Sequence, residues 1–137
     1  MYDHTNDEIT LTTIDAERLR VTIAAHAQQA TASLLTEEIA RARLVPQSAI
    51  PPDVVTMNSR VLVRDDATGK HSALTLVYPR DADADQGRVS VLAPMGSALL
   101  GLSVGQTIEW PLPGGRTKRI AVLRIDYQPE AAGDFDR

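Results

Sequence analysis

The chain has 137 residues, of which 43% are hydrophobic and 4% aromatic, and its formal net charge is −4. This length predicts one domain with at most a small appendage, and the hydrophobic fraction excludes a disordered chain. The negative charge argues against a dedicated nucleic-acid-binding protein. Because the chain has no cysteine, disulfides, iron–sulfur clusters and thiol catalysis are excluded.

The N-terminal region, beginning Met1-Tyr2-Asp3-His4, is polar and acidic and has no regular structure predicted through residue 7. It lacks the basic and apolar parts of a signal peptide. No apolar run approaches the ~18 residues of a membrane span. We therefore expect a cytoplasmic protein with no membrane partner.

Two short helices are predicted after a short strand at Ile9-Thr10-Leu11. The first has Thr13 as its N-cap, and its apolar positions recur at helical spacing: Ala16, Leu19, Ile23, Ala27 and Ala30. The second is predicted over residues 33–44, with the turn between them near residues 26–31. Two narrow apolar stripes joined by a short turn predict a short antiparallel helical hairpin, a coiled coil. Each arm is only ~20 Å long.

A linker containing Pro46, Pro51 and Pro52 follows the helices, because proline cannot continue a helix and stiffens a connection. The chain is therefore predicted to divide into an N-terminal segment, residues 1–52, and a second domain, residues 53–137. From there the apolar residues alternate, which predicts five half-buried strands in a mainly antiparallel sheet around one short helix. Two turns are expected within it, at residues 66–69 and at Gly114-Gly115. The fold class is α+β.

Metal sites and known catalytic motifs are not supported by the sequence. Asp81, Asp83 and Asp85 have the first spacings of a calcium-binding loop, but the glycine and glutamate that such a loop requires are absent. The histidines lack the ligand-spaced companions of a zinc site. A solvated acidic loop is the preferred interpretation, and no cofactor or metal is expected.

The most distinctive stretch runs Ala93-Pro94-Met95-Gly96-Ser97-Ala98-Leu99-Leu100-Gly101. Proline suits the first helical position and glycine the left-handed position that ends a helix. Together with residues 53–61 and the tail at 127–134, it resembles the bacterial family called regulator of nucleoside diphosphate kinase (Rnk), Gre-like proteins that bind RNA polymerase. The resemblance is specific from about Pro52 to Phe135. It implies a domain like the C-terminal domain of the Gre transcript-cleavage factors, with a sheet similar to that of FK506-binding proteins.

In the Gre factors, the resemblance implies, acidic residues at the tip of a long coiled coil help to hold the catalytic magnesium of the polymerase. The tip candidates in this chain are His26, Gln28, Gln29 and Thr31, none of them acidic, and the arms are short. We therefore expect no transcript cleavage and no enzyme. Prolyl isomerisation needs an aromatic-lined pocket, and aromatic residues are too scarce here. Trp110 is expected in the sheet core.

The predicted partner-binding residues are Ala93, Pro94, Met95, Gly96 and Ser97. The matching turn of the Gre factors carries Asp-Ser-Pro and docks at the rim of the polymerase secondary channel. Here Leu92 and Ala93 replace the polar pair, so the contact would be more apolar. For Pro94, Met95 and Gly96 a core role remains equally open, whereas Leu99 and Leu100 are expected in the core.

From the resemblance we expect a protein that binds RNA polymerase and meets DNA only through the polymerase. The preferred mechanism is modulation of elongation by competition with Gre factors, and we expect a monomer. The alternative is an adaptor that regulates nucleoside diphosphate kinase by direct contact. Basic residues also recur in the second domain, at Arg60 and Arg64 and at Arg116, Lys118 and Arg119. They indicate either ordinary solvated strand faces or a strip that meets an acidic partner.

Overall fold

The computed structural model describes residues 3–4, 9–111 and 113–135, which form a mixed α+β fold. In chain order its helices and strands are β1 (Asp3–His4), β2 (Thr10–Thr12), α1 (Thr13–Ala25), α2 (Ala30–Arg41), β3 (Arg43–Val45), β4 (Arg60–Asp65), β5 (His71–Val77), β6 (Arg88–Ser90), α3 (Pro94–Leu99), β7 (Thr107–Pro111) and β8 (Thr117–Tyr127).

The main sheet has the strand order β1-β7-β8-β4-β5-β6. Its last five strands are the five predicted from alternating apolar residues, which confirms that prediction. Neighbouring strands are antiparallel except β5 and β6, which pair in parallel. The sixth strand, β1, comes from the region predicted to lack regular structure and pairs with β7 at the sheet edge.

The predicted connections of the sheet are confirmed. Residues 66–69 join β4 to β5, with the Gly69 N–H donating to the Asp65 carbonyl at 2.7 Å. Residues 113–115 join β7 to β8, and Gly114 adopts φ +82° there, a conformation that glycine accepts at little cost. Helix α3 begins with proline at its first positions and is followed by Gly101 at φ +79°.

The bounds of the first two helices differ from the prediction. Thr12, not Thr13, is the N-cap of α1, and its hydroxyl accepts from the Asp15 N–H at 3.0 Å. Helix α2 begins and ends three residues earlier than expected, at Ala30 and Arg41. Its end is set by pairing distant in sequence, because Leu44 lies opposite Leu11 in the β2–β3 ladder.

The parallel pairing of β2 with β3 brings the start of α1 and the end of α2 to the same place. Thr10 lies opposite Arg43, and the Arg43 N–H donates to the Ile9 carbonyl at 2.9 Å. Helices α1 and α2 also contact each other, and we call them the helical pair. The turn at residues 26–29 therefore lies at the end away from β2 and β3.

One buried cluster joins the helical pair to the sheet. It includes Leu19 and Leu35 from the helices, Val61 and Leu76 from the sheet and Leu99 from α3. Burying a side chain of this size stabilises the fold by roughly 1.5–3 kcal/mol. The expected core positions of Leu99 and Leu100 are confirmed, since they are 1% and 0% exposed.

Only the backbone of Trp110 is described, in β7, so the predicted core position of its side chain lies outside the described residues. Within the part of the chain that is described, no helix combines the length and the apolar character needed to cross a membrane.

Candidate protein-binding site

The candidate binding turn, residues 93–97, connects the end of β6 to α3. Val91 and Leu92 are buried just before it. The turn is tightened by two bonds from Ser90, whose carbonyl accepts from the Ala93 N–H and whose hydroxyl accepts from the Leu92 N–H, both at 3.0 Å. Ala93 is the N-cap of α3 and has extended backbone angles.

Gly96 allows α3 to lie directly on the end of β6. A Cβ at this position would come within 2.0 Å of the Ser90 carbonyl oxygen, far inside van der Waals contact. Gly101, after the helix, is similarly confined, because an added Cβ would lie 2.7 Å from the Cβ of Ile9. These two close approaches fix α3 between the sheet and the strand region that precedes α1.

The five predicted binding residues differ in exposure. Pro94 is exposed, Ala93 and Met95 are half-buried, and Gly96 and Ser97 are buried. The Ser97 hydroxyl donates to the Pro94 carbonyl at 3.1 Å, and Met95 also packs against the core cluster. A partner could reach only residues 93–95 without a rearrangement, and these present an uncharged surface. The structure therefore brings the predicted residues together, but it buries two of them and packs a third, Met95, against the core.

The far end of the helical pair carries no carboxylate. The turn consists of His26, Ala27, Gln28 and Gln29, and the sequence contains no aspartate or glutamate from residue 18 to residue 36. The His26 ring Nδ1 lies 3.0 Å from the Thr22 carbonyl. Of the nearest carboxylates beyond the turn, Glu37 is exposed on α2 and Glu38 pairs with Arg41 at 3.0 Å.

A buried carboxylate lies at the other end of α1, where the helical pair meets the sheet. Asp15 is 3% exposed, and its Oδ2 accepts the Met57 N–H at 3.1 Å. Burial raises the pKa of Asp15 to about 6, the Met57 bond opposes this, and the nearby Glu130 adds to it. The first-turn position of Asp15 follows from the sequence, but its burial was not predicted. Two features of the sequence could have predicted this burial. Thr12 and Asp15 have the spacing of a capped helix start, and Asp15 lies on the same helix stripe as Leu19.

The C-terminal segment is tied to the same region by buried polar groups. The Thr56 hydroxyl lies 2.9 Å from the Ser59 hydroxyl and donates to Glu130 at 2.8 Å. The Gln128 amide donates to the carbonyls of Pro51 and Val54, both at 2.8 Å. These bonds hold the linker and the residues after it against residues 128–130.

An open groove lies between α1 and the turn that follows β5. Arg18 and Val21 line one side, and Tyr78 and Arg80 line the other. Burial raises the pKa of the Tyr78 phenol, the charge of Asp15 adds to this effect, and Arg18 opposes it. Tyr78 is the one aromatic side chain in this lining, so the groove lacks the aromatic enclosure expected of a prolyl isomerase.

The acidic loop after β5 forms local turns. Asp81, Asp83 and Asp85 are all exposed, and an Asp83 carboxylate oxygen accepts from the Asp85 N–H at 3.1 Å. Across the ranges that the structure covers, no group of three histidine, aspartate or glutamate side chains is arranged to hold a metal ion.

Comparison with known proteins identifies the family. The protein-family model described as "Transcription elongation factor, GreA/GreB, C-term" matches residues 50–127. The chain therefore belongs to this family. Its fold is that of a GreA/GreB C-terminal-like domain, and the resemblance stated from the sequence is confirmed.

The relatives include regulators and elongation factors. "Regulator of nucleoside diphosphate kinase" from Escherichia coli (strain K12) is 44% identical over 129 residues, covering 93% of this chain and 95% of the relative. "Transcription elongation factor GreA" from Flavobacterium johnsoniae is 37% identical over 91 residues, covering 66% of this chain and 57% of the relative. A solved structure described as prokaryotic transcription elongation factor GreA/GreB from Nitrosomonas europaea has a TM-score of 0.76 at 43% identity. The superposition covers 88% of this chain and 98% of the chain in the solved structure.

Proposed function

We propose that this protein is a bacterial regulator of the Rnk type that binds RNA polymerase near its secondary channel and modulates transcription elongation. The observation that carries the proposal is the GreA/GreB C-terminal match over residues 50–127. The relative named regulator of nucleoside diphosphate kinase, which aligns along 95% of its own length, supports the same assignment.

The sheet domain supplies the contact in this proposal. The exposed and half-buried part of the binding turn, residues 93–95, docks on the polymerase at the rim of the secondary channel. The contact is apolar, because residues 93–95 read Ala-Pro-Met, and the flexible thioether of Met95 suits such a surface. The tight approach of Gly96 to Ser90 keeps the turn in one conformation before binding, which lowers the entropy cost of association.

The helical pair forms a short antiparallel hairpin, a coiled coil that points into the channel. Helix α1 has 13 residues and α2 has 12, so each arm spans about 20 Å. Because residues 18–36 contain no carboxylate, the tip cannot help to hold a catalytic metal ion. The protein therefore occupies the channel entrance, competes with Gre factors and cleaves no transcript.

The accompanying assignments follow from this mechanism. Residues 1–52 form the segment that carries the hairpin, and residues 53–137 form the docking domain. The protein acts as a cytoplasmic monomer, requires no cofactor, and meets DNA only through the polymerase. No enzymatic activity is part of this function.

Direct binding to purified bacterial core RNA polymerase tests the proposal. We expect the unaltered protein to bind and the double variant Pro94→Asp/Met95→Asp to bind at least about tenfold more weakly, because two charges would be desolvated at an apolar contact. Pro52→Asp/Ala67→Asp places the same charges at exposed positions outside the turn and should bind normally. Absence of binding by the unaltered protein would refute the proposed function.

A second candidate function is an adaptor that contacts nucleoside diphosphate kinase directly. The printed name of the Escherichia coli relative favours it. Co-purification of this protein with the kinase in the absence of polymerase would support the adaptor. A change in kinase transcript level without contact between the two proteins would support action through the polymerase.

A further inference from the structure

The main sheet has two faces of opposite character. Side chains alternate between the faces along each strand. Val61, Val63, Leu76 and Ile108 are buried on one face and contribute to the core cluster, and α3 packs on this side. The alternate positions of β4, β5 and β6 point to the opposite face, which we call the outer sheet face.

Arginines recur on the outer sheet face in adjacent strands. The pairing register places Arg60 opposite Thr75, and Thr75 opposite Arg88. Two strand spacings separate Arg60 from Arg88, which is about 10 Å between their backbones. In the next row, Leu62 lies opposite Ala73 on one side and Arg124 on the other. Arg60, Arg88 and Arg124 are all exposed.

Carboxylates balance only some of these arginines. Arg124 pairs with Asp126 at 2.5 Å, and in β4 Arg64 pairs with Asp66 at 3.1 Å. Arg60 and Arg88 make no ion pair with any described residue. The exposed Asp83 lies beside Arg88, because the backbones of the two residues form an isolated bridge. Two arginines beside one carboxylate still leave an excess of positive charge on the outer sheet face, although the formal net charge of the chain is −4.

The centre of the outer sheet face is apolar. Leu62 and Ala73 are half-buried and lie opposite each other in the register, with the arginines around them. An apolar centre surrounded by arginine is the composition of protein interfaces, where arginine is often a residue of high binding energy. A nucleic acid would more commonly require a broad basic surface, whereas the arginines of this face surround a small apolar centre.

We infer that the outer sheet face is a docking surface for an acidic, leucine-containing segment of a partner protein. Carboxylates of the segment pair with Arg60 and Arg88, and an apolar side chain covers Leu62. The binding turn lies with α3 on the opposite side of the sheet, so both surfaces can be occupied together. Binding at the outer sheet face is thus independent of polymerase binding, and the sheet domain could hold two partners at once.

Binding of synthetic peptides to the full chain tests this surface by fluorescence anisotropy. The probes are a Glu/Leu peptide, a Glu/Gln peptide of equal length and charge, and a single-stranded RNA of the same charge. We expect the Glu/Leu peptide to bind most tightly and more weakly as salt increases. The variant Arg60→Glu/Arg88→Glu should weaken this binding at least about tenfold, because attraction becomes repulsion at two sites.

Matched variants separate the surface from general charge and from folding. Arg20→Glu/Arg43→Glu changes two exposed arginines outside the outer sheet face and should alter affinity by less than about twofold. Arg60→Gln/Arg88→Gln gives a milder change if the reversed variant fails to fold. Failure of the Glu/Leu peptide to bind, equal weakening by the control, or tighter binding of RNA than of either peptide would each overturn the inference. Polymerase binding by the reversed variant should be unchanged, which distinguishes this inference from the proposed function.

Discussion

Ionisation of Asp15 should make the stability of this protein fall as the pH rises. The carboxyl is 3% exposed, and burial raises its pKa from 3.8 to about 6. Because the folded state then binds a proton more tightly than the unfolded state, folding is favoured most below the unfolded value. That advantage is lost as the pH rises through the folded value of about 6.

The size of this effect follows from the two pKa values. A tenfold change in an ionisation constant corresponds to ~1.36 kcal/mol. The rise in the pKa of Asp15 from 3.8 to about 6 therefore lowers the free energy of unfolding at neutral pH by about 3 kcal/mol, relative to its value at low pH. About 2 kcal/mol of this is lost between about pH 4.5 and about pH 7.5. In Asp15→Asn the amide oxygen can still accept the Met57 N–H, and the cost of burying a charge disappears.

Urea unfolding of the two proteins across this pH range measures the effect. The free energy of unfolding of Asp15→Asn minus that of the unaltered protein should become more positive by about 2 kcal/mol between the two pH values. Taking the difference cancels the titration of groups common to both proteins. Asp53→Asn, at an exposed position, controls for the loss of one carboxyl group. A difference that is independent of pH, or that changes in the opposite direction, would refute the argument from burial.

Three further substitutions test the packing that positions the binding turn and the helical pair, each by its free energy of unfolding. Gly96→Ala should destabilise the protein by about 2–3 kcal/mol, because the new Cβ would meet the Ser90 carbonyl. The control Gly69→Ala has open space at its Cβ and should cost about 1 kcal/mol. Equal losses in the two variants would contradict the close approach of Gly96 to Ser90. Leu35→Ala should cost about 2–5 kcal/mol, since Leu35 is 0% exposed; a loss under about 1 kcal/mol would mean that α2 does not share the sheet's core. Thr56→Val should cost about 1–3 kcal/mol by leaving Glu130 without its hydroxyl donor, and a neutral result would exclude a stabilising role for that bond.

Local chemistry was sufficient to predict the elements of the sheet domain. Proline at residue 94 and glycine at residue 101 mark both ends of α3, and the alternating apolar residues of β4 and β8 show one buried face. These signals lie within a few residues of the structure that they specify. Contacts between distant residues therefore change these elements little, and the predictions agree with the structure.

The features that the sequence did not reveal depend on contacts between distant residues. Helix α2 ends at Arg41 because Leu44 pairs with Leu11, and Gln29 at its start makes no side-chain capping bond that would mark it. The burial of Asp15 depends on Met57, 42 residues away. Likewise, residues 93–97 were predicted as one turn, but the burial of Gly96 follows from its close approach to Ser90 at the end of β6 and was not predictable from spacing alone.

Competition in a transcript-cleavage assay would show whether this protein occupies the entrance of the polymerase secondary channel. Arrested elongation complexes, a GreA factor and core polymerase from one bacterium would be incubated with increasing amounts of this protein. We expect GreA-dependent cleavage to slow in proportion to the occupancy of the polymerase, and the protein alone to produce no cleavage. Unchanged cleavage at saturating protein, or cleavage by the protein without GreA, would contradict this expectation.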